Sequence, residues 1–145
     1  MTKREQALAA LFERLGAVAG PEKLRNAAAP EAVPAQGLMI LRDDGVDKQP
    51  DPEATLSPVV YAVTHIAGLE IYVERGQGAN RDAMLDALLA AVGAALDADR
   101  TLAGAVDYVR ALNPQTDDLY TAGSATTKAA LVPIELTYDT PDLLV

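Results

Sequence analysis

From Val59 to Glu74 the chain alternates apolar with other side chains: Val59, Tyr61 and Val63, then Leu69, Ile71 and Val73. Successive side chains of a strand point to opposite faces, so this pattern predicts one long strand with one face on a core. Ala67-Gly68 in its middle predicts a bulge or bend, and Gly76-Gln77-Gly78 ends it. A second alternation runs from Thr126 to Tyr138, with Lys128, Ala130, Val132, Ile134, Leu136 and Tyr138 on one side. Pro133 interrupts that strand's supply of donors, so its position must face an edge, a bulge or solvent. An edge marked in this way is protected against unwanted pairing.

Helical signals frame these strands. Thr2 followed three residues later by Glu5 has the form of a capping box, and Leu8, Leu11, Phe12, Leu15 and Val18 make one apolar stripe at helical spacing. Gly20-Pro21 is the expected stop. Asn80 is positioned to cap a second helix running to about Ala98, with Leu85, Leu88, Leu89, Val92 and Leu96 on its buried face. Leu38 to Leu41 reads as a short buried strand and Ala105 to Leu112 as another, broken by Asn113-Pro114. The stretch Asn26 to Pro34 reads as a connector. The expected fold is α+β: a mixed, mostly antiparallel sheet with two main helices packed on one face.

At 145 residues the chain is expected to form a single domain over 1-145, large enough to bury about two thirds of its unfolded surface. Aromatics are only 4%, so Ala, Leu and Val must build the core. With no cysteine, disulfides, thiolate metal sites and thiol nucleophiles are excluded. His65 is the single histidine, and an all-protein zinc site is improbable with one imidazole. Its place within the long strand predicts a packed or hydrogen-bonded side chain rather than a general base. The apolar run Ala7 to Phe12 is too short for a secretory signal. The run Ala87 to Leu96 is half what a bilayer needs. The expectation is a protein made and kept in the cytosol, away from membranes.

A net charge of -9 opposes binding to bare nucleic acid. The basic residues gather before Arg25, where five bases and three acids give +2, whereas Asp43 to Ser57 carries five acids against Lys48. That second segment, with prolines at 50 and 52 and another at 58, reads as a long flexible loop over 43-57 with a binding role. Asp43, Asp44, Asp47, Asp51 and Glu53 do not follow the spacing of a calcium loop. Gly76-Gln77-Gly78 lacks both the Lys-Ser/Thr of a phosphate loop and the third glycine of a dinucleotide fingerprint. Tyr61, Tyr72, Tyr108 and Tyr120 have no interleaved bases of the kind a nucleic-acid stacking platform requires.

Three features together carry a family resemblance. They are the N-terminal helix with LFERLGAV, the long strand ending GLEIYVERG, and the helix and turn LDALLAAVGAALDADRTLAG followed by the late strand ALVPIELTYDT. The chain resembles the tail terminator (tail completion) proteins of long-tailed bacteriophages, the family of the lambda minor tail protein U. The resemblance implies an assembly protein without catalysis, cofactor or metal, from a phage, prophage or gene transfer agent. It implies a six-membered ring at the head-proximal end of the virion tail. The ring would stop polymerisation of the major tail tube protein and offer a surface to the head-tail connector. DNA would pass through the lumen without specific binding, past six copies that together carry roughly -54. The family offers no short motif to transfer, so the contact residues expected here rest on length and charge alone: Asp43, Asp44, Asp47, Lys48, Asp51 and Glu53. Two other readings are another head-tail connector or neck protein, and a small enzyme handling acyl groups or nucleotides. The enzyme would need a nucleophile–base pair that the residues do not supply.

Overall fold

The computed structural model describes residues 1–121 and 124–145, with side chains outside 117–126. Among the described residues, two helices, α1 (Lys3–Leu15) and α2 (Gly78–Ala98), accompany seven strands. These are β1 (Glu22–Arg25), β2 (Leu38–Arg42), β3 (Glu53–Leu56), β4 (Val59–Glu74), β5 (Tyr108–Ala111), β6 (Gln115–Thr121) and β7 (Ser124–Thr140). The sheet order is β1-β2-β4-β7-β5, with β3 paired to β4 and β6 paired to β7. Among the described strands, β1 and β2 run parallel and the other pairs are antiparallel. This is the expected α+β class. No helix is long and apolar enough to cross a membrane among the described residues.

The alternation dictates the core. Ala67, Leu69, Ile71 and Val73 of β4 share a face with Ala130, Val132, Ile134 and Leu136 of β7, because the register places Leu69 opposite Val132 and Ile71 opposite Ala130. Onto this face pack Ala7, Leu8, Leu11 and Leu15 of α1 and Leu85, Leu88, Val92, Ala95 and Leu96 of α2. Leu89, expected in the same stripe, is half-buried, and Ala95 is buried instead.

Thr2 caps α1 as expected, its hydroxyl accepting from Glu5 N at 3.0 Å. The helix ends at Gly16, before Gly20-Pro21. Bonds from Ala17 N to Arg14 O and from Val18 N to Leu15 O then turn the chain so that Val18 still reaches the core. The expected cap of α2 is also corrected. Gln77 is the N-cap residue, with no side-chain cap bond, and Asn80 lies inside the helix, donating from Nδ2 to Gln77 Oε1.

Ala67-Gly68 makes no bulge, since β4 pairs with β7 in unbroken register from Tyr61 to Glu74. Nor does Pro133 mark an edge, because β7 has β4 on one side and β5 and β6 on the other. Its carbonyl accepts from Leu112 N at 2.8 Å, and in an antiparallel ladder the N–H of the same residue would point the same way. The missing donor therefore faces the break between β5 and β6. There residues 112–114 oppose only 132–133, one extra residue in the manner of a bulge.

Candidate assembly surface

The segment expected as a loop over 43–57 divides into a tethered loop and a strand. Over Glu53–Leu56 the loop reading is corrected: these residues form β3, joined to β4 through Ser57-Pro58. The earlier part fills a gap. Along one edge of β4, β2 covers Arg42 opposite Gly68 and β3 covers Glu53 opposite Ala62, which leaves Ile66 between them. Gly45 N donates to Ile66 O at 2.8 Å, and the Gln49 amide takes both backbone groups of the same residue. Its Nε2 donates to Ile66 O at 2.8 Å, and its Oε1 accepts from Ile66 N at 2.7 Å. One side-chain amide thus does the work of a strand residue. Gly68 serves this close approach rather than a bend: a Cβ on it would lie 2.9 Å from the Gly45 Cα.

Charge holds the same loop to α1 and β1. Arg25 grips the Glu5 carboxylate in a two-bond fork at 2.7 and 2.8 Å and reaches Asp43 at 3.0 Å. Arg4 pairs with Asp44 at 3.1 Å. His65 is buried and hydrogen-bonds through Nε2 to the carbonyl of Asp43, the packed role expected of it. Burial holds its imidazole below the ordinary value, partly countered by that hydrogen bond. Burial raises Asp43, but hydrogen bonds from Asn26 and Arg25 outweigh it and leave its carboxyl below the usual range. The Arg25 hydrogen bond lowers Glu5 as well. The basic N-terminal stretch and the acidic loop, separate in the sequence, thus meet through Arg25–Asp43 and Arg4–Asp44.

Asp47 lies elsewhere. It lines a shallow pocket of about 200 Å³ on the sheet face away from the helices, with Arg42, Asp44, Gly45, Val46, Gly68, Glu70 and Leu131. Arg42 Nε donates to Glu70 at 2.9 Å and the Tyr72 hydroxyl donates to the same carboxylate at 2.6 Å. Burial raises Glu70, and these two donors bring its carboxyl below the ordinary value. Burial and the Glu70 bond push Tyr72 up to about 12. Neither Glu70 nor Arg42 stood out in the sequence; only the β2–β4 register, with Arg42 opposite Gly68 and Ile40 opposite Glu70, brings them together. No group of three or more His, Asp or Glu side chains among the described residues is placed to hold a metal ion.

Lys48 and Asp51 are exposed on the approach to β3, and Glu53 is exposed on the strand itself. Asp47, Lys48, Asp51 and Glu53 make no ion pair among the described residues. The β3–β4 hairpin is an arm. Pairing of β4 with β7 starts only at Tyr61, so the strands run past the main sheet, and every residue from Glu53 to Val59 is exposed. Leu56 at its tip is 82% exposed and Val59 45%. Val59 read in the sequence as the first core residue of the long strand. The signal that could have corrected this is the Ser57-Pro58 pair between two short β-forming runs, Ala54-Thr55-Leu56 and Val59-Val60-Tyr61.

No family model matches the chain, and no curated protein matches it. Among solved structures, the chain is similar to one from "Virion of native gene transfer agent (GTA) particle", with 10% identity and a TM-score of 0.43. The match covers 95% of this chain and 90% of that one. A likeness at that identity and score carries no argument about function.

Proposed function

We propose that the chain is a virion assembly protein of a phage or gene transfer agent, and specifically a tail terminator. In this role it forms a ring on the finished tail tube, stops the tube's growth and presents a joining surface to the head connector. The observation that carries the reading is the β3–β4 arm, which puts Leu56 and Val59 into solvent on a hairpin reaching beyond the sheet. An isolated exposed leucine is ordinary. An apolar tip carried on a projecting hairpin is a contact element, because water contact at that tip is relieved only by another chain. The sequence resemblance supplies the identity of the assembly, and the arm supplies a means of making it.

The roles divide by what each residue touches. Asp43 and Asp44 shape the base of the arm through Arg25 and Arg4, while Asp47, Lys48, Asp51 and Glu53 remain available to a neighbour. A ring of such acidic chains repels DNA in its lumen rather than holding it. The reading is tested by adding purified protein to its tail tube protein during assembly. Tubes should stop lengthening once the protein is present and carry it at one end. Tubes that grow equally long with and without it would refute the reading.

A further inference from the structure

At the arm's end of the sheet the strands stand in the order β3, β4, β7, β5, since Tyr61 pairs with Thr140 and Tyr108 with Thr137. The arm is one flank of this row. The opposite flank carries a pocket of about 250 Å³ between α1 and the turn that leads from α2 to β5. Ala10, Ala17, Leu102 and Ala103 give it apolar walls, and Glu13, Arg14 and Asp99 complete it. The turn that supplies Leu102 and Ala103 is held under strain. Leu102 and Ala103 both adopt left-handed backbone, at φ 49° and 57°, which costs roughly 1–2 kcal/mol for each residue with a Cβ. Asp99 clamps the turn, accepting from Ala103 N at 2.8 Å, Thr101 N at 3.2 Å and the Thr101 hydroxyl at 3.1 Å. Arg100 ties it to β5, accepting from Val109 N and donating to Val109 O. Strain maintained by so many bonds is a frequent mark of a working surface.

We infer that the Leu56 tip of one copy seats in this pocket of the next copy, a head-to-tail contact that repeats around the ring. Size fits, since a cavity of about 150 Å³ already accepts a benzene-sized group and an isobutyl side chain is smaller. Charge fits too. Arg14 makes no ion pair among the described residues, and its Nε is buried without a hydrogen-bond partner. Asp51 on the approach to the arm and Glu53 on the arm make no ion pair among the described residues. The Asp99 carboxylate is taken up by its own turn, so Arg14 is the cation of the lining that the arm's acids can meet. A knob and a hole on opposite flanks make a heterologous contact, which closes into a ring when the rotation between copies permits. Closure at a fixed number rests on the terminator reading; the contact itself does not.

The absence of native cysteine allows a direct test. Two full-length variants, Leu56→Cys and Ala17→Cys, are mixed at high concentration, one tagged, and treated with a short bis-maleimide. Both positions are exposed, so folding is spared. The mixture should yield the mixed dimer several-fold above an Ala87→Cys control placed on the outer face of α2. The double variant should give a ladder. Arg14→Glu should reduce the mixed dimer at least about fivefold, and adding Glu53→Arg should restore it. Cross-linking of Leu56→Cys only to itself, or of the mixture no better than the control, would overturn the contact. Tube-length measurements stand apart from this assay, so loss of the contact and loss of the terminator role are distinguishable.

Discussion

Gly45 is the point where the tethered loop touches β4 most closely, and its replacement by alanine tests the arrangement. A Cβ there would lie 2.4 Å from Ala67 O, 2.5 Å from Ala67 C and 2.6 Å from Gly68 N. All three are backbone atoms of β4, which β7 holds in unbroken register there, so the loop rather than the strand must move. Movement breaks the bond from Gly45 N to Ile66 O and the two between the Gln49 amide and the Ile66 backbone. Three such bonds are worth about 1.5–4.5 kcal/mol together. The exposed Arg4–Asp44 pair adds little. Gly45→Ala should therefore cost about 2–4 kcal/mol in urea denaturation, and the Ile66 amide should lose its protection from hydrogen exchange. Gly93→Ala is the control: nothing lies within 4 Å of a Cβ there, so the same change in the middle of α2 should stabilise by roughly 0.5–1 kcal/mol. A loss at Gly45 below about 0.5 kcal/mol, with Ile66 still protected, would refute the tethering.

Leu88→Ala should cost about 2–5 kcal/mol by opening a cavity between α2 and the sheet. Leu89→Ala should cost less than about half as much, because Leu89 is only half-buried; equal losses in denaturation would contradict the packing described. Asp43 and Glu5 both titrate below their ordinary values of 3.8 and 4.5. A carboxyl depressed on folding stabilises above its unfolded pKa, and that stability is lost as pH falls through the folded value. Stability should thus decline as pH drops below about 4. Arg25→Gln should flatten that decline, and acid titrations of the two proteins with identical slopes would remove Arg25 from the account.

The helices and the two long strands were legible because each carries its own period. Leu8, Leu11 and Leu15 recur at helical spacing, and Leu69, Ile71 and Val73 alternate, whatever surrounds them. β1 was illegible because Glu22–Arg25 has no apolar face and exists through backbone bonds to β2. β3 was hidden for a related reason: an exposed strand in a projecting arm buries nothing that could impose alternation. Thr2 was readable as a cap, yet Glu5 does not complete the box because Arg25, twenty residues away, takes its carboxylate. The candidate site shows the same division. The sequence displayed two oppositely charged stretches, but that they meet is a tertiary fact. It gives Asp43 and Asp44 each a cation from the same chain. Pro133 carried a true constraint whose solution, a break between two neighbouring strands, lay in β5 and β6.

The terminator role is tested most directly by electron microscopy of particles produced with this gene deleted. Loss of the stop should leave overlong tail tubes without heads, with a broad spread of lengths. Tails of normal length left detached from their heads would contradict termination and move the chain to the connector. Intact particles of normal length would contradict both.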